Sequence, residues 1–524
     1  MTASKPPGAP SAAYARYVLA VLVIVYVLNF LDRQIISILA EDIKQDLGIS
    51  DGQIGFLYGT AFAVFYAIFG IPLARLADVW NRRTLISLGL GFWSLMTAAS
   101  GLASGFGQLA AARVGVGVGE ASATPAAFSM LSDSFPVRVR ATVLAIYSSG
   151  IYIGAGVGLA IGGQIVDRWN DAFPDGNAPL GIVGWQAAYL AVGLPGVLLA
   201  LWVRTLREPA RGAVEGIFTA PEPRPLREFA RELRAVLPPF TLWNLWAQGG
   251  ARALAANVVA ALGIALGAAA LIRLTGSAAQ WIALGVGLYS AVSWVQGVRL
   301  RDPPAAALLF GSRAFRYAAL GFSCVAFTSY GLGFWIPIYL IRVLEQPPGE
   351  VGTIAGLTAA AAGFLGVSLG GALADRLRRR SVVGRLQVGL VTALVPLPLI
   401  LWMLGTRDVT VIYVLNFPVS LLVAMWIGAG ASTTQDLSLP RMRAIAAAFY
   451  ILFITFIGLA LGPYTVGRLS DWTHDLAHAM RLALLANGLA CAFLLLAMRH
   501  LAHDEATLLE RARAAGEKLA PQQT

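Results

Sequence analysis

Apolar residues in this chain gather in long unbroken runs, and they do not alternate with polar ones. Twelve runs of about 20 residues can be drawn at 17–40, 53–77, 84–104, 107–131, 140–165 and 184–203, and again at 317–342, 351–374, 384–404, 410–433, 442–466 and 479–499. Each is long enough to cross roughly 30 Å of hydrocarbon. A backbone in lipid must satisfy its polar groups internally, and at this length the solution is a helix. Two more apolar runs lie in the middle, near 253–273 and 280–298, joined by a short turn containing Arg273 and Gly276. The pattern predicts an all-α integral membrane protein in four parts: a six-helix half over 1–204, a central segment over 205–316, a second six-helix half over 317–499 and a cytoplasmic tail over 500–524. A transmembrane hairpin in the central segment brings the expected total to 14 spans. The alternative for that pair is two cytoplasmic helices packed under the bundle.

Composition sharpens this picture. With 57% hydrophobic and only 13% charged residues in 524, a water-facing surface cannot be covered. The net charge of +11 invites a nucleic-acid reading. The basic residues stand instead in alternate loops: Arg82 and Arg83, Arg138 and Arg140, Arg376 with Arg378, Arg379 and Arg380, then Arg441 and Arg443. Between them come acidic or mixed loops such as Glu41-Asp42-Ile43-Lys44-Gln45-Asp46. This is the positive-inside pattern, and it puts both termini in the cytoplasm of a bacterial inner membrane. The N-terminal stretch shows no cleavable signal pattern. Both cysteines, Cys324 and Cys491, sit inside apolar runs, so neither a disulfide framework nor a zinc site is expected. No cofactor or metal is called for.

The two halves repeat each other. Leu76-Ala77-Asp78 followed by Asn81-Arg82-Arg83 recurs as Leu373-Ala374-Asp375 followed by Arg378-Arg379-Arg380. Arg138-Val139-Arg140-Ala141 recurs as Arg441-Met442-Arg443-Ala444, and Tyr147 matches Tyr450. Gly154, Gly158, Gly163 and Asp167 recur as Gly458, Gly462, Gly467 and Asp471. Parallel repeats of this kind suit a transporter that rocks one half against the other. The stretch from Ala74 through Asp78 to Arg82 and Arg83 resembles the cytoplasmic loop motif of the major facilitator superfamily, with Ala74 and Asn81 in place of two glycines. Asn29-Phe30-Leu31-Asp32-Arg33 and the run from Arg113 through Gly115, Gly117 and Gly119 to Glu120 resemble the spinster-like branch. The resemblance implies the major facilitator fold, proton-linked movement of lysophospholipids or sphingoid lipids, and a monomer.

Ionisable groups inside a membrane are costly and mark function. Asp32 and Arg33 lie past the midpoint of the first span. Arg113 and Glu120, seven residues apart, share one face of the fourth. The resemblance places both spans on a central cavity. Asp32 is the candidate proton site and Glu120 the second, with Arg113 tuning either one or holding an anionic head group. The alternative is a static ion-pair network. Asn29, one turn before Arg33, is a polar neighbour suited either to cargo or to interhelical hydrogen bonding. The resemblance makes Asp78, Arg82 and Arg83, and their copy Asp375, Arg379 and Arg380, a conformational latch. The alternative for the arginines is topology anchors.

Other features divide the same way. Gly150, Gly154, Gly158, Gly162 and Gly163 form a stripe that suits close helix packing, or an antiporter signature lacking its proline. Tyr330, Trp335 and Tyr339 suit contact with an amphipathic cargo or an interfacial belt, with Pro337 kinking the helix between them. The glycines from Gly115 to Gly119 follow no strand, so they are not a dinucleotide fingerprint. His500, His503 and Asp504 belong to a solvated tail helix over 501–519 rather than a metal site. No catalytic constellation or phosphate loop is visible. The expectation is a proton-coupled secondary transporter of an amphipathic or lipid-like anion, exported or flipped, with protons and membrane lipids as its other partners and no nucleic acid. The alternatives are a symporter of small organic acids, a multidrug exporter, and a non-transporting sensor or scaffold.

Overall fold

The computed structural model describes residues 11–174, 177–212 and 223–517, and among them every regular element is helical. In chain order these are α1 (Ala12–Leu47), α2 (Asp51–Val79), α3 (Arg82–Ser100), α4 (Phe106–Glu120), α5 (Ala123–Ser132), α6 (Val137–Ala172) and α7 (Gly184–Arg204). The central segment gives α8 (Pro225–Val236), α9 (Phe240–Thr275), α10 (Ala278–Arg301) and α11 (Pro303–Gly311). The second half gives α12 (Arg313–Leu344), α13 (Pro348–Arg378), α14 (Gly384–Met403), α15 (Val409–Asp436), α16 (Pro440–Thr473), α17 (Leu476–Ala506) and the short α18 (Leu508–Ala514).

Twelve of the described helices are long and apolar enough to cross a membrane. Two of them, α9 and α10, belong to the central segment. The third and fourth runs of the sequence are helical but fall short of that standard. The third opens on Arg82-Arg83. The fourth carries Arg113 and Glu120 and is interrupted at Ala121-Ser122, between α4 and α5. Pro72, Pro195, Pro337 and Pro418 each lie inside a helix, where proline removes a backbone donor.

The central pair is a real helical hairpin. Gly276 turns it in a left-handed conformation at φ 71°, which an L side chain resists. Its interior carries a hydrogen-bonded polar group around Asn257, while Gln280 and Ser290 are buried on α10 without a side-chain partner. Asn257 donates to Ser293 Oγ (2.9 Å) and Gln296 Oε1 (2.7 Å), and Tyr289 donates its hydroxyl to Asn257 Oδ1 (2.7 Å). Hydrogen bonds of this kind join helices where the hydrophobic effect offers nothing.

The chain forms two compact units that do not follow the two sequence halves. One comprises residues 1–49, 65–233 and 337–361; the other comprises 50–64, 234–336 and 362–524. The start of α2 therefore packs with the second half of the sequence, and the start of α13 with the first. Glycine makes each contact possible. A Cβ on Gly55 would stand 2.5 Å from Pro463 O of α16, and one on Gly352 would stand 2.2 Å from Leu159 O of α6. Each pair is finished by an aspartate. Asp471 accepts from the backbone N–H groups of Asp51 and Gly52, both at 2.9 Å. Asp167 accepts from Gly349 N–H at 2.8 Å. Both carboxylates satisfy orphan donors at a helix start, where the dipole favours negative charge.

The tail differs from expectation. Leu501 and Ala512 are buried, and Asp504 accepts from Ser312 Oγ (2.7 Å) and Ala314 N (2.8 Å), capping the start of α12. Ala512 packs with Ala305, Leu308, Leu439 and Met442. The segment after 500 is thus docked through its apolar face, and Asp504 is a structural cap.

Candidate functional site: a buried polar cluster on α1 and α4

Asn29, Asp32 and Arg33 occupy spacings of three and four on α1, so they share a face. Arg113 and Glu120, two turns apart on α4, meet that face. Arg33 Nη2 donates to Glu120 Oε2 at 2.7 Å. Arg113 Nη1 reaches the main-chain oxygen of Asp32 at 3.2 Å. Asn29, Asp32, Arg113 and Glu120 are all buried. The four ionisable groups expected to cluster do so.

The detail within the cluster is uneven. Glu120 has an arginine partner, whereas neither Asp32 carboxylate oxygen has a hydrogen bond of good geometry. The charged groups acting on Asp32 are Glu120 and Arg113, and the side-chain donors beside it are Thr97 and Trp93 of α3. A buried carboxylate without hydrogen bonds is costly to hold as a charge. The Arg33 guanidinium stands over the rings of Phe30 (4.5 Å) and Tyr66 (5.3 Å). Tyr26 stacks on Tyr147 of α6 at 4.3 Å and meets Phe30 edge-on at 5.2 Å. Tyr26, Tyr66, Trp93 and Thr97 were not singled out by sequence reasoning. Tyr26, Asn29, Phe30 and Arg33 do stand at the i, i+3, i+4, i+7 spacing that could have pointed to the first of them.

The glycine stripe of α6 serves this site by packing. A Cβ on Gly154 would lie 2.2 Å from Val27 O, and one on Gly158 would lie 3.0 Å from Leu31 O. The stripe lets α1 lie against α6 and so holds the polar face of α1 in place.

The residues of the loop motif take different partners. Asp78 is exposed and lies only 4.0 Å from Arg75, so it does not pair with Arg82 or Arg83. Arg82 is fully buried and forked among Asp133, Glu208 (2.7 Å), Ser129 Oγ (2.9 Å) and Pro209 O (2.7 Å). Arg83 donates to Leu206 O at 2.7 Å. Burial and the Arg82 charge push the Arg211 guanidinium down from its ordinary value, while Glu208, Asp133 and Asp78 pull it up. In the second half, Arg379 and Arg380 are exposed. The equivalent of Arg82 is Arg385, paired with Asp436 and lying 3.5 Å from Asp375. Arg82 and Asp133 are 51 residues apart, as are Arg385 and Asp436. The loop before Arg385 is longer than its copy, which displaced the match made on sequence alone. Arg378 pairs with Glu505 at 2.8 Å.

The three aromatics of α12 separate. Trp335 is buried and donates its indole N–H to Pro463 O at 2.8 Å, a packing post. Tyr339 is also buried. Tyr330 is half-buried against the core of the second half.

Comparison with known proteins agrees with this architecture. The family model of the Major Facilitator Superfamily matches residues 22–463. An MFS-type efflux pump of Mycolicibacterium smegmatis is 29% identical over 482 residues, covering 91% of this chain and 89% of that protein. Human protein spinster homolog 1 is 27% identical over 471 residues, covering 87% and 72%. A bacterial homolog of the human lysosomal transporter spinster, solved inward-facing and unoccupied, superposes with a TM-score of 0.70 at 25% identity, covering 94% of this chain and 99% of that one. The relatives are transporters. With its repeated helical halves and its polar cluster on α1 and α4, the chain belongs to the major facilitator superfamily, in the spinster-like branch.

Proposed function

We propose that this transporter couples the movement of an amphipathic, lipid-like anion such as a lysophospholipid or sphingoid lipid to the proton gradient, by alternating access. The observation that carries the reading is the buried Asp32 carboxylate, with no hydrogen bond of good geometry, beside an Arg33–Glu120 ion pair. Asp32 takes the coupling proton. Glu120 is the second carboxylate, released when a cargo anion claims Arg33. Arg113 holds the α1 backbone at Asp32 and shares in the charge balance. Such exchange works because the protonation state of a buried carboxylate answers to its neighbours. Asn29 and Arg33 contact the head group. Trp335 and Tyr339 are left out because packing accounts for their burial.

The proposed setting is a bacterial inner membrane crossed 14 times by a monomer, with both termini cytoplasmic. The buried cluster at Arg82 and the partly exposed one at Arg385 act as latches on the cytoplasmic side. A second reading, export of other amphipathic compounds, is favoured by the mycobacterial relative described as an efflux pump. Proteoliposomes holding a pH dye decide between them. A panel of lysophospholipids, small organic acids and a lipophilic cationic drug is applied to the wild-type protein. A pH change driven by lysophospholipids supports the reading. A change driven only by another class replaces the cargo, and a folded protein that moves protons with none of them contradicts it.

A further inference from the structure

The internal repeat allows two helix pairs to be compared position by position. Aligned on Leu76-Ala77-Asp78 and Leu373-Ala374-Asp375, Thr60, Val64 and Ala67 of α2 correspond to Leu357, Ala361 and Phe364 of α13. Aligned on Gly154 and Gly458, Tyr152 of α6 corresponds to Phe456 of α16. The α2–α16 pair and the α6–α13 pair are therefore copies of one seam. In each, glycines bring the helices together. Gly59 faces Leu459 O (2.6 Å from a built Cβ) and Gly356 faces Gly156 O (3.0 Å).

The outer faces of these copies are not alike. Over α2 and α16 lies α10 of the central hairpin. A Cβ on Gly287 would stand 2.8 Å from Val64 Cγ1 and 3.2 Å from Phe456 Cε1, so one glycine touches both helices of the seam. Trp281 meets Tyr464 of α16 edge-on, with ring centroids 5.7 Å apart. Thr60, Val64, Ala67 and Phe456 are all buried. On the other copy, Leu357 is 46% exposed, Phe364 is 47% exposed, Ala361 is exposed and Tyr152 is half-buried. The hairpin contact shows that the Val64 face points out of the bundle, and the repeat gives Ala361 the same outward direction.

We infer that the hairpin seals one lateral seam and leaves the α6–α13 seam, at Leu357, Ala361 and Tyr152, as the single portal for the acyl chain of the cargo. The inference rests on the proposed lipid-like cargo. An amphipathic anion reaching a buried cationic site must keep its chain in contact with lipid while its head group travels inward. A seam between two helices allows this only where no third helix lies across it. The uncovered seam adjoins the site, because α6 packs directly on α1 beside Phe30 and Leu31. Gly156, Gly356 and Ala360 hold α6 and α13 in close contact, so the chain passes when the two helices part along this seam.

The test uses the full-length protein in nanodiscs of phosphatidylglycerol and phosphatidylethanolamine. An anionic lysophospholipid with a diazirine in its chain is photolysed, and labelled peptides are mapped by mass spectrometry. Labelling is expected in 357–364 and on α6 near Tyr152, several-fold above that in 60–71, and is expected to fall when excess unlabelled lysophospholipid is added. Equal or greater labelling of 60–71 overturns the single portal. Labelling of 357–364 that resists competition leaves the seam open to bulk lipid but removes the lipid-like cargo, and the portal role with it. In transport, Ala361→Trp is expected to slow lysophospholipid uptake about tenfold, equivalent to roughly 1.4 kcal/mol. Ile282→Trp, on the exposed face of the hairpin, should leave uptake unchanged. Equal slowing by both would also overturn the portal.

Discussion

The two halves of the bundle share a fold but not a chemistry. When they are aligned on the Arg82–Asp133 and Arg385–Asp436 pairs, Arg113 corresponds to Asn416 and Glu120 to Val423. In the first half α1 meets α4 through the 2.7 Å Arg33–Glu120 ion pair. In the second, Ser329 Oγ of α12 lies 3.4 Å from Val423 O of α15. The same helix crossing is charged in one copy and neutral in the other. Duplication gave both halves the packing, and among the described residues the buried ion pair at this crossing belongs to the first half.

The largest expected effect comes from breaking the ion pair on one side only. Arg33→Ala leaves Glu120 buried without its partner, and removing one member of a buried pair costs about 3–5 kcal/mol. Thermal unfolding in detergent should show a large loss of stability for Arg33→Ala, partly recovered in Arg33→Ala/Glu120→Ala. Ser329→Ala, at the neutral crossing, should cost under about 1 kcal/mol. Equal losses in the two halves would erase the distinction between them.

Next comes energy coupling. A 100 mV gradient is worth about 2.3 kcal/mol per charge, or roughly fifty-fold in accumulation. Asp32→Asn should abolish that accumulation while leaving exchange without a gradient. Substitution of Asn416 by Ala, at the neutral crossing, should keep it. Accumulation assays in vesicles with an imposed gradient separate the two.

A smaller effect distinguishes the cytoplasmic clusters. Arg82 is fully buried and forked among four acceptors, whereas Arg385 is partly exposed. Lysine cannot reproduce the fork. Arg82→Lys should cost about 1.5–3 kcal/mol, in the range of hydrogen bonds to charged groups. Arg385→Lys should cost about 1 kcal/mol or less, as a partly solvated pair.

The smallest concerns pH. Hydrogen bonds from Arg441 hold the Asp302 carboxyl below its ordinary range, and they do the same for Glu517. A depressed folded-state value means that the contact stabilises fully above the unfolded carboxylate range and is lost as pH falls through the folded value. Acid titration of stability should therefore show a small decline that Asp302→Asn flattens.

The sequence made the helices, the repeat and the polar cluster legible for one reason. Charges within apolar runs are few, and at the spacings of Asp32 with Arg33 and of Arg113 with Glu120 they must face inward. It hid the partners of the loop motif, because Arg82 pairs with Asp133 and Glu208, which lie far away in the chain and resemble any interfacial acid. It matched Arg82 to the wrong arginine of the second half because the loop before Arg385 is longer than its copy. The hydrogen bond from Trp335 to Pro463 was hidden too, because an aromatic on a helix looks the same in sequence whatever it touches. The compact units were hidden as well, since the backbone approach at Gly55 and Gly352 and the caps from Asp471 and Asp167 join residues far apart in the chain.

The most direct test of the central claim is the number of protons moved per cargo molecule by wild type and Asp32→Asn in the same vesicles, with a pH dye and a labelled lysophospholipid followed together. The account predicts cargo-linked proton movement in wild type and cargo exchange without proton movement in the variant. Cargo-linked proton movement that survives in Asp32→Asn would contradict it.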